Sequence, residues 1–181
     1  MVRIELVTTI AAPIERCFDL SRSIDLHMAS TDWTGERAIG GVTSGLIGLD
    51  QEVTWQGRHF GLRIQHTSRI SSFDRPRYFQ DCMVRGAFKS FCHDHHYESL
   101  AGQTRMRELM VFEAPFGWLG RLVESILDRH MRSLLDRRNR FIKQVAESEN
   151  GAILFRVKAT FGDSAHRPTE PVRCTMFSCL H

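Results

Sequence analysis

Past Pro115 the hydrophobic pattern changes period, and this change constrains the fold more than any other feature of the chain. From Leu119 the stripe returns every three to four positions: Leu122/Val123, Ile126/Leu127, His130/Met131, Leu134/Leu135, Phe141/Ile142 and Val145. That spacing predicts one helix of about 30 residues, about 45–50 Å long, with a continuous apolar stripe. Asn150-Gly151 is a suitable stop, because both residues tolerate the left-handed conformation that ends helices. The opposite face interleaves Arg121, Arg129, Arg132, Arg137, Arg138 and Arg140 with Glu124, Asp128 and Asp136, and reads as solvated with local ion pairs.

Before Pro115 almost every signal is β. Gly40-Gly41, Gly45, Gly48, Gln56-Gly57, Gly86 and Gly102 punctuate aromatic and β-branched runs between Gly35 and Phe112. The strands expected are Ile47–Trp55 and Arg58–Thr67 around a tight turn at Gln56-Gly57, then Arg77–Val84, Phe88–Glu98 and Thr104–Phe112. Short turns between consecutive strands favour an antiparallel meander. At the N-terminus, residues 2–10 alternate like a half-buried strand, and Pro13 opens a short helix over 13–20 followed by another over 23–30. The sheet needs cover for one apolar face, and the long helix has the matching stripe. The expectation is an α+β fold, a curved antiparallel sheet wrapped around a long C-terminal helix, with a cavity where the two do not meet.

Composition narrows function only by exclusion. The 181 residues carry a net charge of +3, too mild to support nucleic-acid binding. The chain shows neither a secretory leader pattern nor an apolar run near the ~18 residues needed to span a bilayer. Cys17, Cys82, Cys92, Cys174 and Cys179 are odd in number and lack CxxC spacing, so they read as free thiols of a cytoplasmic protein. Residues 1–150 are expected to form the domain, and 151–181 a loosely held extension with a strand at 152–161.

The chain resembles the START/Bet v 1-like (SRPBCC) superfamily, the helix-grip fold. The residues that carry the likeness are Ala12-Pro13-Ile14-Glu15 with Phe18-Asp19, His27, Val53-Thr54-Trp55 with Phe60-Gly61, and Asp74-Arg75-Pro76 with Phe79 and Asp81. Gly86-Ala87-Phe88, His93-Asp94-His95-His96-Tyr97 and Glu113-Ala114-Pro115-Phe116-Gly117 with Leu119-Gly120 continue it. Together they look like the small bacterial branch labelled cyclase/dehydrase-like or cell-division inhibitor, over about residues 2–148. The resemblance implies a pocket for lipids, sterols, hormones or polyketides, with aromatase or cyclase chemistry in a minority of members. It implies no cofactor, and it suggests an epimerase-like protein as partner.

Within Phe88–Glu98, residues Phe91, His93, His95 and Tyr97 share one strand face. If that face is concave, it puts polar groups into an apolar pocket, where Asp81 and Glu108 on adjoining strands can approach them. His27 lies on the second short helix, which closes one side of the cavity in the fold that the chain resembles. Three readings compete for the set His27, Asp81, His93, His95, Tyr97 and Glu108: satisfied buried polar groups, an anchor for the polar end of an apolar ligand, or a metal or acid–base centre. The HxH pair lacks a third ligand at fixed spacing, so no metal is assigned from sequence. The expectation is binding of a small hydrophobic ligand. A cyclase or dehydratase using the cavity histidines and an interaction module are the alternatives. Cys17 reads as core, and no GxSxG elbow or phosphate-binding loop is present.

Overall fold

The computed structural model describes residues 1–115 and 117–148, with the side chains of 117–122 left out. The expected Asn150-Gly151 stop, the strand at 152–161, the extension from 151 and Cys174 and Cys179 lie outside the described residues.

Strand β1 (Val2–Ile10) is followed by Ala11-Ala12 and then Pro13, which stands at the N-cap of α1 (Ile14–Ser21). Helix α2 (Ile24–Ser30) follows at once, its first turn capped by the Ser23 side chain accepting from the Leu26 backbone N–H at 3.3 Å. The meander then runs β2 (Arg37–Gly41), β3 (Glu52–His59), β4 (Leu62–Asp74), β5 (Tyr78–Arg85), β6 (Ser90–Leu100) and β7 (Gln103–Glu113). Helix α3 (Gly117–Glu147) closes the order. All seven strands form one antiparallel sheet in the order β1-β7-β6-β5-β4-β3-β2. The α+β layout, the two short helices after the first strand and the curved sheet against the long helix are as the sequence predicts.

Two expectations about the early strands are corrected. Gln56-Gly57 does not turn the chain; it lies inside β3, paired with Gln65 and Ile64. The reversal comes at Phe60-Gly61, both at positive φ, and moves the expected strand Ile47–Trp55 to Glu52–His59. A glycine marked a turn in the sequence, but the polar sequence around it pairs because its neighbours Val53 and Trp55 are buried on the inner face. Edge strand β2, which the sequence read only as glycine punctuation, needs Gly41. A Cβ there would stand 2.1 Å from the Glu52 carbonyl oxygen.

The cysteine reading is corrected too. Cys82 and Cys92 face each other across β5 and β6 and form a disulfide. The register brings them together, which spacing of ten residues without a motif does not reveal. Their pairing removes the thiol argument for a reducing compartment. Cys17 is free and fully buried in the core, as expected. No helix among the described residues is long and apolar enough to cross a membrane.

Two apolar clusters fill the space between sheet and helices. One gathers Phe18, Phe79, Tyr97, Met106 and Ile142 around α1, and the other gathers Ile4, Phe91, Met110, Phe112 and Leu135. What lies between them is polar.

Candidate functional site

The inner face of the sheet carries a polar belt across three adjacent strands. Each strand reads apolar, polar, apolar along that face: Phe79, Asp81, Met83 on β5; Phe91, then His93 and His95, then Tyr97 on β6; Met106, Glu108, Met110 on β7. Register aligns the polar positions, pairing Asp81 with His93 and His95 with Glu108. Arg138 from α3 completes the belt, its Nη1 donating to Glu108 Oε1 at 2.8 Å and its Nη2 to the Ser21 carbonyl at 2.7 Å.

His95 lies between two carboxylates. Its Nε2 is 3.0 Å from Asp81 Oδ2 and its Nδ1 is 2.9 Å from Glu108 Oε1, the second contact lying off the line of a good hydrogen bond. Burial works against a charged imidazole, but the two acids outweigh it and raise the His95 pKa above its ordinary value. Phe79 stacks on the ring at 4.0 Å between centroids, a favourable face for a cation. His93 has the opposite fate: burial first, then neighbouring His95, push it down to about 3. Burial alone would raise Glu108, yet Arg138 and His95 hold its carboxyl well below the usual carboxylate range. Asp81 is likewise held down against burial, by His95 and His93. The belt therefore favours a neutral imidazole at His93 and a charged one at His95, flanked by two carboxylates.

A cavity of about 580 Å³ opens on this belt. Asp81, His93, His95 and Arg138 line it, and so does His27, which stacks on Trp55 at 4.1 Å and stands 3.4 Å from Glu36. Apolar groups make most of the rest of the wall, among them Ile64 and Ile70 from β4, Met110 from β7, and Leu127, Met131 and Leu135 from α3. Two of the six sequence candidates, Tyr97 and Glu108, are buried behind the wall and do not line it.

Sequence reasoning did not name Arg138, Glu36, His59, His66 or His130 as site residues, although His130 was on the expected helix stripe; all five line the cavity. Arg138 corrects the reading of a wholly solvated arginine face: it is 8% exposed, because the helix turns that side toward Glu108. The i+3 and i+4 spacing from Leu134 and Leu135 to Arg138 was the available signal. His59, the last residue of β3, meets His130 of α3, Nδ1 to Nε2, at 3.1 Å, with Phe60 packed on the His130 ring at 4.5 Å. This contact ties the open end of the sheet to the helix.

Tyr78 and Tyr97 are the two tyrosines of the chain. Burial, then the Asp94 carboxylate 2.6 Å from its hydroxyl, raise Tyr78 to about 12. Burial and the charge of Glu108 raise Tyr97 well above the usual phenol value. Both phenols are thus favoured in the neutral form by folding. Their contribution to stability is complete below about pH 10, the unfolded value, and fades as pH rises from there toward 12. An absorbance titration is expected to show little tyrosinate in the folded protein at pH 10–11, while both tyrosines ionise near the ordinary value of about 10 in urea. Two folded-state midpoints near 10 would contradict the geometry.

Solved structures share this architecture at low identity. TTHA0849 from Thermus thermophilus superposes with a TM-score of 0.62 at 14% identity, over 78% of this chain and 97% of that one. Ginseng major latex-like protein 151 from Panax ginseng gives 0.59 at 14% identity, over 81% and 98%. Ara h 8.0201 gives 0.55 at 10%, over 78% and 97%. The chain has the Bet v 1-like, helix-grip fold. No family model matches the sequence, and no curated protein sequence matches it. At these identities the likeness of one helix-grip chain to another speaks for fold alone. The polar belt must be read from this chain's own residues.

Proposed function

We propose that the protein binds a small, largely apolar molecule in the cavity between sheet and α3, with the polar end of that molecule against the belt. The cavity itself carries this reading. A volume of about 580 Å³ falls in the range of pockets for drug-sized ligands, with mostly apolar walls and a few convergent polar groups on one side. Removal of ligand surface from water at such walls contributes roughly 25 cal/mol per Å². His93 supplies an orienting group, since it lines the cavity beside Asp81 and His95. A ligand hydroxyl or carbonyl near the belt gains a polar contact where pure hydrocarbon gains none. The resemblance to the helix-grip superfamily points to the same ligand class, lipid-, isoprenoid- or polyketide-like.

The test is fluorescence titration with uncharged N-phenyl-1-naphthylamine, whose emission rises in apolar surroundings. Wild-type protein is expected to bind it saturably at one site. Ile64→Trp, which fills the half-buried position on the β4 wall, is expected to weaken binding at least about tenfold by taking up the volume the probe needs. Absence of saturable binding to wild type, or unchanged binding to a folded Ile64→Trp variant, would sink the proposal. Native mass spectrometry of protein from its own host then identifies any retained ligand by mass.

A further inference from the structure

The belt contains one imidazole too many for an ion-pair network. His95 bridges Asp81 and Glu108 at 3.0 and 2.9 Å, and Arg138 already pairs with Glu108. His93 adds nothing to that network by hydrogen bonding. It is 6% exposed, its Nδ1 is 4.0 Å from Asp81 Oδ2, and its Nε2 is 3.6 Å from Glu108 Oε1 with no hydrogen-bond partner among the described residues. A buried ring without partners calls for an explanation.

Orientation supplies one. Both imidazoles turn one nitrogen to Asp81 Oδ2, His93 through Nδ1 and His95 through Nε2. Both turn the other nitrogen to a single oxygen, Glu108 Oε1. One ligand atom from each of Asp81, His93 and His95 lies within 4.8 Å of the other two. Neighbouring ligands of a tetrahedral zinc ion are about 3.3 Å apart, given Zn–N and Zn–O bonds of about 2.0–2.1 Å. The Asp81 contacts of 3.0 and 4.0 Å bracket that spacing. Histidines that hold a metal commonly donate their remote N–H to a carboxylate, and Glu108, fixed in turn by Arg138, stands where such a carboxylate belongs.

We infer that Asp81, His93 and His95 form a two-histidine, one-carboxylate site for a divalent transition ion of the Zn²⁺ or Fe²⁺ class, with its open coordination position facing the cavity. The ion takes the place of the proton between His95 Nε2 and Asp81, and that proton leaves to solvent. Glu108 is a positioning residue, its Oε1 facing the remote nitrogen of both rings at 2.9 Å (His95) and 3.6 Å (His93). All three ligands line the cavity, so a bound ion would meet the oxygen of a ligand's polar end directly. This deepens the reading of the cavity as a binding site and specifies an oxygen donor on what it binds.

Tag-free protein, stripped with chelator, is titrated with Co²⁺ alone and followed by visible absorption. Wild type is expected to develop d–d bands saturating at one ion per chain. His93→Leu is expected to remain folded by circular dichroism and to weaken Co²⁺ binding roughly 100-fold, since it removes one of three ligands. Glu108→Gln, which keeps the ligands, is expected to cost about 10–100-fold through ring orientation. Should either variant fail to fold, long-range ¹H–¹⁵N spectra of wild type decide: Zn²⁺ is expected to shift the ring nitrogens of two buried histidines. No bands in wild type with Co²⁺ in excess, bands undiminished in folded His93→Leu, or no buried histidine shifted by Zn²⁺ each overturn the site. Probe binding without cobalt bands removes the ion and leaves the cavity proposal standing; bands without probe binding do the reverse.

Discussion

Replacing Arg138 with methionine lowers the free energy of unfolding by about 3–5 kcal/mol, the usual cost of removing one partner of a buried ion pair. Methionine keeps most of the aliphatic stem, so packing changes little and the loss is electrostatic. Glu108 is 0% exposed, and its Oε2 already lacks a hydrogen-bond partner among the described residues. Without the guanidinium at 2.8 Å, a fully buried carboxylate depends on His95 alone, and the Ser21 carbonyl loses its donor as well. The variant responds by protonating Glu108 at a higher pH than wild type. Adding Glu108→Gln to Arg138→Met is therefore expected to recover part of the loss, because the uncompensated charge is gone. Urea unfolding of the two single variants and the double variant measures this. A loss below about 1 kcal/mol for Arg138→Met would mean that solvent reaches Glu108 and that the belt is not sealed by α3.

Phe18→Ala is expected to cost about 3–5 kcal/mol for a different reason. Phe18 is fully buried on α1 and meets three aromatic rings edge-on: Phe73 at 5.3 Å, Phe79 at 5.4 Å and Tyr97 at 5.4 Å. It locks a short helix, which has no stability of its own at eight residues, onto β4, β5 and β6. Truncation leaves a void that rigid rings cannot close. Phe79 also stacks on His95, so loosening it is expected to disturb the belt as well as the core. Thermal or urea unfolding gives the stability change. Apolar-probe binding at temperatures where the variant is folded reports any change in the cavity. A cost under about 1.5 kcal/mol would show that α1 re-packs freely against the sheet, contrary to the close ring contacts.

The legible parts of this molecule are those set by local chemistry. The helix over residues 117–147 follows from its apolar spacing, and the turns at Asp74-Arg75-Pro76 and Ala101-Gly102 follow from residues that favour reversal. The shared face of Phe91, His93, His95 and Tyr97 follows from the two-residue period of a strand. The failures were of two kinds. Gln56-Gly57 has turn chemistry but pairs within β3, because burial of Val53 and Trp55 outweighs a weak glycine preference. Arg138 and the pair Cys82–Cys92 were misread because each depends on a partner in a different element.

What the amino-acid order alone determined is which residues share a face of each element, since the periods of helix and strand are properties of the backbone. It could place Asp81 on one strand, His93 and His95 on one face of a second, and Glu108 on a third. Only the tertiary structure decided that they meet. A strand's register is a long-range choice, made by the burial of Phe79, Met110 and Phe112 across the sheet, and sliding it by one residue would turn His93 and His95 outward. The rotation of α3 about its axis, which carries Arg138 inward, was decided by the same packing. The belt exists because those two choices coincide.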